Sequence, residues 1–345
     1  MARYTTPPAR PRPQIAVITL GGTIASRPGG GPPGAVPELT GADLIAAAPG
    51  IESIATLTTH AFRQLPSSEL TVPDICALAR AVDAHAAAGS ARVVVTQGTD
   101  TMEETAFVLD LLRTAPVPVV VTGAMRNAAQ PGADGPANLI TAIRAAAEPA
   151  VAELGVVVAM NDELHAARQV TKAHTTSPAA FRSPGSGPLG WISESEVRLT
   201  SAPRRAHRLP NPLTGEPETM DPPPVALLTG TLGDDGRLIA AATGAGYAGL
   251  VIEALGGGHL PSGALEAVTR AASLIPVVLA SRTGAGAVLA HSYGFPGAEI
   301  DLRSRGLLTA GDLSGPKARL LLLLLLALDL PRPQLEDQFA RIARG

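Results

Sequence analysis

The chain is short of cysteine, aromatics, lysine and long apolar runs, and each shortage excludes something. A single cysteine, Cys76, rules out an intrachain disulfide and any site built from several thiolates. Flanked by Ile75, Ala77 and Leu78, it reads as a small core residue. Aromatics make up 3% of the chain, so its cores must be built from Ala, Val, Leu and Ile. The longest apolar run, Leu320 to Leu326 extended by Ala327 and Leu328, falls short of the roughly 18–20 residues that span a bilayer. It reads as a buried helix. The net charge of −3 carries no basic excess that would draw nucleic acid or an anionic membrane. Residues 1–13 are polar and proline-rich without an apolar centre, unlike a secretory leader. They read as a loose, disordered tail, and the expected location is the cytoplasm.

What is present points to a globular protein. The 345 residues suffice for two domains, and 46% hydrophobic against 17% charged residues supplies real cores. Continuous apolar runs at Gln14–Leu20, Ile54–Phe62, Arg92–Gln97, Val117–Thr122 and Gly155–Met160 read as strands buried on both faces. Helical patterns at Asp74–Ala88, Met102–Arg113 and Pro136–Ala147 separate them, which implies a mostly parallel α/β sheet over residues 14–200. A second set spans residues 225–345, with strands at Val225–Thr229, Gly249–Ala254 and Pro276–Ser281 and helices at Gly263–Ala272 and Lys317–Leu328. Between them, residues 201–224 hold seven prolines and read as a linker.

Ligands of such sheets bind beyond the carboxyl ends of the strands. The first strand runs into Gly21-Gly22-Thr23, where two glycines allow a sharp turn and expose a hydroxyl. Either this is a plain tight turn or Thr23 is a nucleophile. A phosphate loop would need a helix directly after it, and Ser26–Gly34 is too rich in Gly and Pro. That segment reads as a flexible loop able to act as a lid. The third strand ends in Gly98-Thr99-Asp100-Thr101, and Thr101 with Glu104 has capping-box spacing ahead of a helix whose apolar face carries Met102, Ala106, Leu109 and Leu112. Asp100 either caps that helix or offers a carboxylate to an ammonium group. Of 27 basic residues only Lys172 and Lys317 are lysine. Lysine can lose its proton when desolvated and arginine cannot, so Lys172, in Val170-Thr171-Lys172-Ala173-His174-Thr175-Thr176, is either a surface charge or a general base. Lys317 opens the leucine-rich helix and reads as structural.

Together these segments resemble the bacterial type I/II L-asparaginase (asparaginase/glutaminase) family. Leu20-Gly21-Gly22-Thr23-Ile24-Ala25 is similar to its first signature, and Gln97 through Thr105 to its second. The likeness continues through Gly123–Arg126, Ala133–Leu139, Val170–Lys172 and Gly187–Gly190, then Tyr293–Phe295 and Lys317–Arg319. The resemblance implies a larger N-terminal domain with a flavodoxin-like, mostly parallel sheet and a smaller C-terminal α/β domain. It implies hydrolysis of L-asparagine to L-aspartate and ammonia through an acyl-enzyme on Thr23, assisted by Thr99, Asp100 and Lys172. Asp100 would also hold the substrate ammonium, Ser67 with Ser68 beside it the α-carboxylate, and backbone N–H groups near Thr99 and Ala124 the oxyanion. No metal or cofactor is implied. The implied assembly is a homodimer or homotetramer with sites at the dimer interface.

Departures are local. Leu20 stands for the usual Thr and Gln97 for the usual His. No tyrosine lies between Ser26 and Thr40, and Gly34 is the nearest counterpart of the family's loop Tyr. His259 and Ala287 stand where the family sends an Asn and a Glu toward the neighbouring subunit's site. Two other roles fit the same residues: an asparagine- or aspartate-binding sensor with weakened turnover, and the ammonia-supplying subunit of a tRNA-dependent amidotransferase. The short N-terminal tail speaks against the second of these.

Overall fold

The computed structural model describes residues 12–28, 35–203 and 207–345. Residues 1–11 of the expected tail and residues 29–34 of the expected lid, Gly34 among them, lie outside the described residues. The chain opens with β1 (Gln14–Thr19), a one-turn 3-10 segment (Thr23–Ala25) and an antiparallel hairpin of β2 (Ser26–Pro28) and β3 (Ala35–Pro37). Then come α1 (Gly41–Ala46), β4 (Thr56–Ala61), α2 (Val72–Ala87), β5 (Val93–Thr96), α3 (Met102–Leu112), β6 (Val119–Thr122), α4 (Gly135–Ala147) and β7 (Val156–Met160).

Strands β4, β1, β5, β6 and β7 lie side by side and parallel. Numbered along the chain this is the order 2-1-3-4-5, the flavodoxin-like arrangement, with its topological switch beside β1. The expected strands and helices are therefore present, with ends shifted by a few residues. β8 (Glu163–Ala166) folds back on β7 through Asn161-Asp162, both at positive φ as a tight two-residue hairpin requires. β9 (Thr171–Lys172) and β10 (Phe181–Arg182) form a separate ribbon. β11 (Gly190–Ser193) and β12 (Glu196–Leu199) complete an eight-stranded sheet.

The second sheet is parallel throughout, in the order β13 (Val225–Thr229), β14 (Gly249–Ala254), β15 (Val277–Ser281) and β16 (Leu308–Thr309). It carries α5 (Arg237–Gly244), α6 (Leu265–Leu274), α7 (Glu299–Ser304), α8 (Gly315–Ala327) and α9 (Arg332–Arg344). α8 is the leucine-rich helix. Leu320 through Leu325 are all buried, as a helix apolar on every side must be. It packs on β13, β14 and β15 and also on α3, so one apolar core runs through both halves of the molecule. No described helix is long and apolar enough to cross a membrane.

The proline-rich stretch after Ser201 is strapped down rather than free. Arg80 donates to the carbonyls of Leu213 and Gly215, Asn211 Nδ2 to that of Cys76, and the Leu209 amide to that of Leu111. We propose residues 14–200 and 225–345 as the two domains, joined by this strap. Cys76 is fully buried, and burial pushes its thiol up to about 12, so it is an inert core residue.

Leu321 is fully buried in the shared core. Leu321→Ala is expected to lower the unfolding free energy by about 2–5 kcal/mol in a urea titration. A loss below about 1 kcal/mol would show that α8 does not hold the two halves together.

Candidate active site

The site forms where the carboxyl ends of β1, β5 and β6 meet, at the topological switch. Glycine lets its loops approach. Gly22 has φ +81°, and a Cβ there would lie 2.0 Å from the Gly98 nitrogen. Thr23 and Thr99 thus each follow one of two backbones in direct contact. A Cβ on Gly98 would lie 2.6 Å from Ser67 Oγ, and one on Gly123 would lie 2.5 Å from the Gln97 carbonyl and 3.4 Å from Thr99 Cγ2. Four segments converge here: 20–23, 64–67, 97–100 and 123–124.

Lys172 closes the group. Its Nζ donates to Thr99 Oγ1 at 2.9 Å and to Asp100 Oδ1 at 2.5 Å, across more than 70 residues of sequence. Thr99 is 5% exposed, whereas the Asp100 side chain is 70% exposed. The same ammonium therefore ties a buried hydroxyl to a carboxylate that also faces solvent. Solvent screening keeps the pair modest in energy, so its value lies in geometry. Thr23 is half-buried, and among the described residues its hydroxyl takes no side-chain hydrogen bond.

The reading of Asp100 and Thr101 as helix caps is corrected by the structure. Thr101 does stand at the α3 N-cap, but its side chain makes no cap bond; it donates to the Ser67 carbonyl at 2.9 Å. Ser67 Oγ in turn accepts from the Asp100 amide at 3.2 Å. The cap is given up because the Thr101 hydroxyl holds the serine segment and the Asp100 carboxylate is taken by Lys172. Ser67 is buried in this network and Ser68 is exposed beside it. Ala124 is fully buried in the loop after β6.

Several contributors escape a reading of the sequence because they act across the fold. Glu103 Oε2, in the first turn of α3, accepts the backbone N–H of Lys172 at 3.0 Å. Asp134 accepts the amides of Met125 and Arg126, and Asn138 Nδ2 donates to the Gly123 carbonyl, which together fix the loop carrying Ala124. Asp134 and Asn138 lie inside a segment that resembles the family, but nothing in that segment shows what they hold.

His259 belongs to a second group. Among the described residues no hydrogen bond or ion pair joins it to Thr23, Thr99, Asp100 or Lys172. Its Nε2 is 3.3 Å from Glu299 Oε2, and its ring meets Tyr293 and Phe295 edge-on at 5.2 Å each. Tyr293 and Phe295 are about half exposed. Burial pushes the Glu299 carboxyl up, but amide donors from Tyr293 and Ser292, with His259 beside them, hold it below its ordinary value.

His165 fastens the end of the β9–β10 ribbon that bears Lys172. It is buried in β8, with Nδ1 3.0 Å from Ser183 Oγ. Burial, reinforced by Arg182, pushes its pKa down to about 4, so at neutral pH the 3.4 Å approach of Glu163 is not an ion pair.

Known proteins share both halves of this architecture. The family model for the asparaginase N-terminal domain matches residues 14–205, and that for the glutaminase/asparaginase C-terminal domain matches residues 224–339. A probable L-asparaginase of Deinococcus radiodurans is 39% identical over 332 residues, 95% of this chain and 98% of that protein. A glutamyl-tRNA(Gln) amidotransferase subunit from Methanosarcina barkeri is 30% identical over 309 residues, 88% of this chain and 70% of that protein. The crystal structure of a probable cytoplasmic L-asparaginase from Campylobacter jejuni superposes with a TM-score of 0.82 at 30% identity, covering 95% of this chain and 99% of that one.

Two outcomes are expected. Gly22 and Gly50 both have φ +81°, but a Cβ on Gly50 would meet nothing within 4 Å. Gly50→Ala should cost about 1 kcal/mol from φ alone, and Gly22→Ala clearly more because the Gly98 backbone must move. Equal losses in urea titrations would deny the close approach. For His165, the unfolded chain binds a proton between about 4 and the ordinary 6.5 while the folded chain does not. Stability should therefore rise with pH across that window, be complete above it and be lost on acidification. His165→Gln should flatten that part of the pH–stability curve; an unchanged slope would show that His165 is not the group responsible.

Proposed function

The chain belongs to the asparaginase family, and on that premise we propose that it hydrolyses the side-chain amide of L-asparagine, yielding L-aspartate and ammonia. The observation that carries this reading is Lys172 Nζ bridging Thr99 Oγ1 and Asp100 Oδ1 at the sheet's switch point. In this reading the bridge is a proton path ending on the buried Thr99 hydroxyl, next to the half-buried Thr23. In the proposed sequence Thr23 Oγ attacks the amide carbon, a C–O bond forms, the C–N bond breaks, and the proton given up by the Thr23 hydroxyl passes to the departing nitrogen, which leaves as ammonia. Water then attacks the ester, releasing aspartate and restoring the Thr23 hydroxyl. Lys172, when neutral, takes the proton of Thr99, and Asp100 stabilises the ammonium so formed. Backbone N–H groups near Thr99 and Ala124 are the proposed donors to the oxyanion. Asp100 and Ser67 would receive the substrate ammonium and α-carboxylate. The bond exchanges balance without a metal or cofactor.

The Methanosarcina barkeri relative is by name part of an amidotransferase. The higher identity to the Deinococcus radiodurans protein supports the free amidase instead. We infer a homodimer or homotetramer in which His259 of one protomer faces the site of its partner, and a cytoplasmic location in keeping with the description of the Campylobacter jejuni protein.

One feature of the geometry favours a variation. Lys172 contacts Thr99 and not Thr23, so Thr99 is the better activated hydroxyl. Ammonia release from asparagine is expected from the wild-type protein, with kcat lowered about 10³-fold or more in Thr23→Ala and in Thr99→Ala. Lys172→Met should cost about 10²- to 10⁴-fold. Undiminished release from both threonine variants would overturn the reading. Mass spectrometry of the trapped acyl-enzyme locates the nucleophile, on the peptide of Thr23 as proposed or on that of Thr99.

A further inference from the structure

The chain's other lysine lies where a lysine is least expected. Lys317 is 2% exposed, at the start of a helix whose buried positions from Leu320 onward are all leucine. A buried ammonium is costly unless its hydrogen bonds are met, and an apolar side chain of similar length would avoid that cost. Here two of its three N–H groups are met by main chain from the other domain: Lys317 Nζ donates to the Arg168 carbonyl at 3.0 Å and to the Val170 carbonyl at 2.5 Å. Those carbonyls lie within the three residues before Thr171 and Lys172.

We propose that Lys317 is a positioning residue for Lys172, setting the course of the chain into β9 and with it the reach of the Lys172 amine toward Thr99 and Asp100. This rests on the reading of Lys172 as the proton-transfer group. Two further sets of contacts and one charge influence support it. Arg168, in the same segment, donates to the Ile342 and Ala343 carbonyls of α9 and to Asp312, so the C-terminal domain grips this stretch twice. Glu103 accepts the Lys172 amide from the other side. Glu103 also lies close enough to favour the charged form of Lys317, as do Glu104 and Asp312, whereas Arg168 opposes it. The first turn of α3, directly after Thr99 and Asp100, is thereby linked to both lysines. Burial nevertheless pulls the Lys317 amine down to about 8, so its grip weakens as it loses charge in mildly alkaline solution.

Because the chain holds only two lysines, lysine-selective 13C labelling of the full-length protein gives two side-chain NMR signals, assigned by loss of one in Lys317→Met. Three readouts are compared in wild type, Lys317→Met and Lys317→Gln: the pH titration of the Lys172 signal, kcat and KM on asparagine, and melting temperature. The proposal expects the Lys172 titration midpoint in Lys317→Met to move by about half a pH unit or more. It expects kcat to fall about 10- to 100-fold with KM little changed. Lys317→Gln, which keeps two N–H donors, should recover part of both. A Lys172 signal that titrates as in wild type, with only the melting temperature lowered, would overturn the proposal and leave Lys317 a purely structural residue. If Lys317→Met does not fold, Lys317→Gln is read alone by the same criteria. If the wild type releases no ammonia, the asparaginase reading fails while the Lys172 titration still decides the positioning role.

Discussion

The backbone of Gly22 lies against the backbone of Gly98, and the candidate site depends on that contact. A single methyl on Gly22 would sit 2.0 Å from the Gly98 nitrogen, so only a residue without a side chain lets the loops after β1 and β5 meet. These strands flank the sheet's topological switch. Their meeting brings the Thr23 segment beside the Thr99–Asp100 segment, with Ser67 packed on Gly98. Lys172 then enters from a short ribbon outside the main sheet and bonds Thr99 and Asp100 together.

Much of this is legible in the chain because its causes are local. Val- and Ile-rich runs buried on both faces mark four of the five parallel strands, and paired glycines before a hydroxyl mark the first loop of the site. The fifth strand, β4, expected from the sequence to be buried too, lies at the sheet edge with its Thr-rich side chains largely exposed. Lys172 stands out through scarcity, since nearly every other basic residue is arginine. What is not legible depends on distant partners. Thr101 and Glu104 have the spacing of a cap, yet the Ser67 carbonyl competes for the Thr101 hydroxyl and wins. Glu103, Asp134 and Asn138 look like ordinary helix-start residues until the loops they hold are in place. The short antiparallel strands β8, β11 and β12 have four residues each, too few for a clear period, and the Asn161-Asp162 turn is their one local sign.

The two halves of the molecule are less separate than the composition suggests. The proline-rich stretch is bound along α2 and α3, and the leucine helix of the second half completes the core of the first. The segment leading to Lys172 is held by polar groups from that same helix region. The lysine at the centre of the candidate site therefore takes its position from contacts that cross between the halves, and domain packing and site geometry are one problem.

The most direct test of the account is a crystal structure with bound L-aspartate. The account expects the side-chain carboxylate of aspartate within hydrogen-bond reach of the Thr23 and Thr99 hydroxyls, its ammonium on Asp100 and its α-carboxylate at Ser67, with Lys172 still bridging Thr99 and Asp100. Aspartate bound elsewhere, or a Lys172 that parts from Thr99 when the site fills, would contradict it.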